Sequence, residues 1–392
     1  MISPQFIPVA EDAAAAEARR LTVLSCGLFL VIGIVTTILG PILPFLPARL
    51  GITSAQAGQL FFWQFVAATL TTLLDGIIFP RVRFRTLLTT ALILAFIGVA
   101  GLQTSHWRIA CLAVACYGTG LGLSIPAINL TVSSLNPIRR SSVLCILNCC
   151  WVVGAVAGPM LVFALGSLDY FFKAVMVALA LAVLATLVFG GPARIGGDTT
   201  KAVATTSWQL RPTVLFAVLL FLAVGVENSL SGWASSVAMH HFSSASKASL
   251  STGAFWLAFF FSRAGAPLIL RRFTDERLLN TSFLCAIAGV LLFFSSVNAP
   301  MALLGCGFAG FGVGTLFPLI LSRMTGEMGT ENPALVVCFA FANLGAALLP
   351  PLAGRTGAAL GNAAYALVIP LVALLAAALL ARARTRATAI PF

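Results

Sequence analysis

The sequence predicts an all-α integral membrane protein of twelve transmembrane helices in two parallel-repeat six-helix bundles, and three observations carry that prediction. Of 392 residues, 60% are hydrophobic and only 9% charged, against about 25% charged in an ordinary soluble domain, and the mean hydropathy is +1.04. Apolar runs of about 20 residues, the length needed to cross a bilayer, recur twelve times along the chain. Motifs of the first half also return in the second at an offset of 191–192 residues.

The predicted spans are 21–46, 57–79, 87–104, 109–133, 143–166, 170–190, 213–239, 250–270, 278–297, 300–322, 334–354 and 358–381. They group into bundles at 21–190 and 213–381, with tails at 1–20 and 382–392 and one polar, Gly/Thr-rich linker at 191–212 that tethers the bundles. Gly and Pro inside the runs are tolerated in membranes, where neighbouring helices satisfy the freed backbone groups. Without short alternating strands there is no closed barrel.

Orientation follows from Lys and Arg. With the N-terminus inside, 17 of the 23 basic residues fall in cytoplasmic segments and five in outside loops, leaving Arg263 within the membrane. The positive-inside rule therefore puts both termini in the cytoplasm, and a multi-pass protein of the cell (inner) membrane is expected. The net charge of +12 reflects these topology signals. It forms no basic face with interleaved aromatics, so no nucleic acid is expected. Residues 1–20 carry Glu11, Asp12 and Glu17 ahead of their basic pair and do not read as a cleaved leader.

The nine cysteines lie within spans, with no CxxC and no Cys–His spacing, so neither a disulfide framework nor a metal site is indicated. Cys145 and Cys149 share a helix face and read as packing residues. No cofactor motif is present: the glycine runs miss the dinucleotide pattern at Leu123 and Thr315, no P-loop occurs, and no nucleophile or His/Cys/Asp cluster points to an enzyme.

Taken in order, the first span ends with Pro41, Pro44 and Pro47, which predicts a bend or unwinding near its outer end beside Thr36 and Thr37. The second carries Trp63, Gln64 and Asp75 and closes on Gly76, Pro80, Arg81, Arg83 and Arg85. The fourth contains Gly118-x-Gly120-x-Gly122-x-x-x-Pro126, and the tenth repeats it as Gly310-x-Gly312-x-Gly314-x-x-x-Pro318. Gly154 to Pro159 in the fifth is echoed by Gly345 to Pro350 in the eleventh. Two matches at one offset imply duplication, and an offset of six helices keeps both copies in the same orientation, with a site at the midplane between them. Small residues at this spacing let backbones approach and slide.

The seventh span holds the residue that is hardest to place. Glu227 sits mid-span in Gly225-Val226-Glu227-Asn228-Ser229-Leu230-Ser231-Gly232-Trp233, where a carboxyl group costs about 2.5–3.5 kcal/mol or more and normally faces a bundle interior or wet cavity. It reads as a functional acid or as a group paired with a neighbouring helix. Arg263, the other intramembrane charge, lies about 10 Å nearer the cytoplasmic side by helical rise. Direct pairing requires its side chain to reach up, and a structural or snorkelling role is favoured over substrate binding. His240 and His241 read as a solvated pair at the outer mouth.

These motifs resemble a known family. The loop from Gly76 to Arg85 is similar to the cytoplasmic latch of the major facilitator superfamily, with Pro80 and Arg83 departing from the pattern. Gly225 to Trp233 resembles the seventh helix of the fucose permease-like sugar:proton symporters, and Phe255-Trp256 followed by Arg263 resembles their eighth. Gly120, Leu121, Gly122 and Asn129 match their fourth, but the intervening coupling acid is here Ile125. The resemblance implies alternating access by a monomer in the lipid bilayer, with a small-molecule solute, a sugar first, and protons or sodium as partners. Asn129, Asn148, Glu227, Asn228, Trp233, Asn343, Trp151 and Trp256 are the expected substrate contacts, since amides and acids bind hydroxyls and aromatic faces cover sugar rings. Glu227 is the candidate coupling acid. Gly120, Gly312, Pro126, Pro318, Arg81, Arg85 and Arg263 are expected in structure and gating. The alternative is a multidrug or metabolite exporter of the same fold, because Gly154 to Pro159 resembles an antiporter signature.

Overall fold

In the computed structural model, residues 7–79, 81–136, 140–191, 210–328 and 334–388 are described, so most of the linker, at 192–209, lies outside the described residues, as do Pro80, Arg139, 1–6 and 389–392. Twelve helical crossings follow one another: α1 (Ile7–Thr36, continued by Leu39–Ile42, Leu43–Phe45 and Leu46–Leu50), α2 (Ser54–Ile78), α3 (Phe84–Gly101), α4 (Trp107–Leu135), α5 (Arg140–Leu165), α6 (Leu168–Phe189), α7 (Leu210–Ala238), α8 (Ala245–Ile269), α9 (Asp275–Phe294), α10 (Ala299–Gly314 and Leu316–Met328), α11 (Ala334–Ala359) and α12 (Val368–Thr388). Among the described residues, eleven are long and apolar enough to cross a membrane by length and composition. The exception, α8, carries Lys247, Arg263 and four serines. Twelve crossings place both chain ends on one face, here the terminal face; the opposite one is the distal face.

Packing follows the repeat. In the first half α1 packs on α5, α2 and α3 on α4, and α3 on α6; in the second α7 packs on α11, α8 and α9 on α10, and α9 on α12. The halves meet chiefly through α2 with α11 and α5 with α8, pairs that exchange when the halves are swapped. The glycine motifs set these contacts. A Cβ at Gly118 or Gly122 would strike the backbone of α2 at Gln64 or Ala68, and one at Gly120 would strike α3 at Ala91. In the second copy Gly310 and Gly314 face Phe255 and Phe259 of α8, and Gly312 faces Ser282 and Ala286 of α9. Gly154 and Gly345 likewise lie against the carbonyls of Leu30 and Phe221, so each motif glycine marks a close helix crossing.

The prolines of α1 act as expected. Pro41 cannot donate to Thr37 and its ring crowds that carbonyl; the helix breaks at Thr37–Ile38, with a tight bond from Gly40 N–H to Thr37 O at 3.2 Å. Thr36 O thereby loses its helical donor. Gln64 of α2 supplies one at 2.8 Å, and the Tyr117 hydroxyl of α4 donates to Gln64 Oε1 at 3.0 Å. The distal piece of α1 is tied down by Arg49, which bonds Asp169 at 2.8 Å and the Gln103 carbonyl at 2.7 Å. The second break, in α10 at Thr315, lies within predicted span 300–322; the helix resumes at Leu316, so Pro318 sits in the first turn of its second segment.

Candidate functional site

The halves close on each other near the distal face. Gly40 of α1 packs on the Ser231 carbonyl of α7, Phe61 of α2 on Gly232, and Met160 of α5 on Gly253 of α8. Ser249 Oγ donates to the Pro159 carbonyl at 2.9 Å. Trp233 belongs to this seal. Its indole N–H donates to the Pro350 carbonyl at 2.9 Å, and its ring fills a notch left by Gly58 and Gly354. Expected as a solute contact, it is 2% exposed and taken up by these contacts between the halves in this conformation.

Beneath the seal, α5, α7 and α8 bring several expected residues together. Trp151 and Trp256 meet edge to face at 5.5 Å. Trp256 continues down α8 to Phe259 at 5.0 Å, and the Arg263 guanidinium lies over Phe259 at 4.3 Å. The Trp256 indole nitrogen is buried and, among the described residues, unpartnered. Asn148 lies one turn below Trp151 on the same face of α5 and is exposed, as are Cys145 and Cys149.

Glu227 and Arg263 do pair. Arg263 Nη2 lies 3.8 Å from Glu227 Oε2, with side chains 27% and 13% exposed. The long arginine stem lets the guanidinium reach the acid on the neighbouring helix. Arg263 Nε also donates to the Gly314 carbonyl at 2.8 Å, at the break in α10. At 3.8 Å the ion pair is too long for a direct hydrogen bond, so the carboxylate keeps acceptor capacity for a ligand.

The amides stand around this core rather than in one cluster. Asn129, Asn148 and Asn228 each donate to the carbonyl four residues earlier in their own helix, at 2.9, 2.8 and 2.9 Å. That leaves each amide oxygen uncommitted. Asn343 is half-buried on α11, with no partner for its amide among the described residues. Asn129 lies seven residues beyond Gly122, on the α4 face turned towards α2, and its amide bonds within α4 rather than to Glu227. Arg81 and Arg85 are exposed at the terminal face, the stem of Arg85 lying against Gly190. The Asp75 side chain lies outside the described residues.

Three participants were not anticipated from sequence. Phe259 looks like any core aromatic, Cys149 like packing, and the Gln64–Tyr117 bridge is signalled only by two polar groups in apolar runs.

The Major Facilitator Superfamily model matches residues 25–341. A search of curated proteins returned no match. Among solved structures, the chain is similar to the D-xylose-proton symporter (14% identity, TM-score 0.72, covering 91% of this chain and 96% of that one). It is also similar to the nucleoside transporter NupG (15%, TM-score 0.70, 96% and 100%). FucP in an outward conformation, the E. coli fucose:proton symporter, matches at 17% with TM-score 0.60 over 93% and 98%. At these identities the likeness is one of fold.

Proposed function

The chain belongs to the Major Facilitator Superfamily, and on that premise we propose that it is a secondary transporter carrying a small polyhydroxylated solute, a monosaccharide first, by alternating access with Glu227 as its proton-carrying group. The observation that supports this most directly is the Glu227–Arg263 pair, held 3.8 Å apart below a tryptophan roof. A hydroxyl both donates and accepts, so it fits between a carboxylate and a guanidinium that do not bond directly. The half-buried Trp151 offers an apolar face to a sugar ring, with Trp256, 2% exposed, packed behind it, and the free oxygen of Asn148 offers a further acceptor. The basic residues of the terminal face favour its lying in the cytoplasm, and on that assignment the distal contacts close the outer side, so the solute is loaded from there after the seal parts.

A thermal-shift screen of the purified protein tests the solute class, because a ligand that binds only the folded state raises apparent stability. At a hundred times the dissociation constant the expected stabilisation is about 2.7 kcal/mol. Monosaccharides should raise the melting temperature in the wild type and not in Asn148→Ala. Stabilisation by lipophilic cations and by no monosaccharide overturns the reading in favour of an exporter.

A further inference from the structure

Pro318 has no N–H, so the carbonyl of Gly314, four residues earlier, loses its helical partner. α10 is interrupted there: one segment ends at Gly314 and the next begins at Leu316. Arg263 supplies the missing donor at 2.8 Å through Nε and reaches Glu227 with Nη2. One side chain of α8 therefore touches both the acid of α7 and the break in α10.

The first half contains the same device without the charge. Pro126 frees the carbonyl of Gly122, and Thr72 Oγ1 of α2 donates to it at 3.2 Å. Gly122 and Pro126 correspond to Gly314 and Pro318 at an offset of 192, and Thr72 corresponds to Arg263 at 191. In that half α4 runs unbroken from Trp107 to Leu135. A neutral hydroxyl satisfies the freed carbonyl and leaves the helix continuous, whereas the second half uses a cation that an acid can hold or release.

We propose that Arg263 is a positioning residue that makes the break in α10 depend on the charge at Glu227. The inference rests on the proposed proton-carrying role of Glu227 and adds how a proton there is felt by the helix that must move. With Glu227 charged, the guanidinium is held between the carboxylate and the Gly314 carbonyl, the arrangement in the structure. Protonation removes the anion and with it the ion-pair attraction that holds the guanidinium in place, and α10 is free to change its bend. The groups that meet the guanidinium are the Glu227 carboxylate, the Gly314 carbonyl and the Phe259 ring, and the exposed thiols of α5, Cys145 and Cys149, are neutral until well into the alkaline range.

The test uses spin labels at Leu304 and Ser322, exposed positions on either side of the break, and measures their distance in the purified protein at acidic and alkaline pH. The expected result is a pH-dependent distance in the otherwise wild-type protein. Arg263→Thr, which installs the residue of the equivalent position, and Pro318→Ala, which returns an N–H to Gly314, should each abolish that dependence, and the double variant should behave like either single one. In proteoliposomes Arg263→Thr should lower gradient-driven accumulation by at least about tenfold, the factor expected of one lost charge-assisted hydrogen bond. Arg263→Lys should retain part of the pH-dependent change. Should Arg263→Thr fail to insert, Glu227→Gln carries the same test: its distance should stay at the value the wild type adopts in acid. A pH-dependent distance in Glu227→Gln or in Arg263→Thr overturns the proposal. The distance needs no transport, so a bend that follows Glu227 while accumulation ignores the proton gradient would fault the coupling reading alone.

Discussion

A carboxyl group in the middle of α7 is tolerable in hydrocarbon because a guanidinium from α8 lies beside it and both side chains stay partly exposed. That arrangement suits a group that changes charge. Glu227→Gln keeps the shape and the hydrogen-bonding capacity but not the titration. It should therefore retain solute counterflow within about a factor of a few while losing accumulation driven by an inward proton gradient, the loss amounting to at least tenfold if the pair contributes about 1.4 kcal/mol. Both activities falling together would assign Glu227 to binding, and wild-type levels of both would remove it from the mechanism. The acid was legible in the sequence because it interrupts an apolar run. Trp233 was legible only as a large amphipathic side chain: whether an indole faces a solute or caps a carbonyl depends on which helix crosses it, and here Gly58, Gly354 and Pro350 decide the matter. The pairing of Arg263 was hidden for a different reason. Axial rise locates a Cα, but a long side chain covers most of the remaining distance.

At the scale of elements, the two glycine motifs do the same work in two places. Each alternates its contacts, with the outer glycines against one neighbour and the central glycine against another, so α4 and α10 are each gripped from two sides. Gly120→Leu and Gly312→Leu should each abolish uptake in proteoliposomes while the protein still inserts, since overpacking costs about 1–3 kcal/mol or more where the obstacle is backbone. Normal uptake by both variants would place those faces against lipid. The breaks were only half legible. Three prolines in seven residues announced the interruption of α1, yet Pro126 and Pro318 occupy the same motif and only α10 is interrupted. The difference lies in what caps the freed carbonyl, threonine in one copy and arginine in the other, a tertiary contact that no local pattern displays.

For the whole molecule, the repeat explains why closure is symmetric. Gly40 and Ser231 are themselves equivalent at an offset of 191, and they touch, which places the contact close to the axis relating the halves. The pairs Ser249 with Pro159 and Gly58 with Pro350 are also exchanged by that axis. Closing the distal face thus brings like surfaces together, and the seal has no room at its centre: a Cβ at Gly40 would lie 2.6 Å from the Ser231 carbonyl oxygen. Gly40→Leu should hold the distal side apart and leave the transporter facing outward. In a background whose only thiol is Cys149, which is exposed in this distally closed state, a membrane-permeant maleimide should label the protein with Gly40 intact readily. The Gly40→Leu protein should label at least about tenfold more slowly, because a shift of that size needs only about 1.4 kcal/mol between the two states. Counterflow should be lost in the same variant, since exchange requires both states, whereas monosaccharide-induced thermal stabilisation should persist. Unchanged labelling with full counterflow would show that the Gly40–Ser231 contact does not control distal closure.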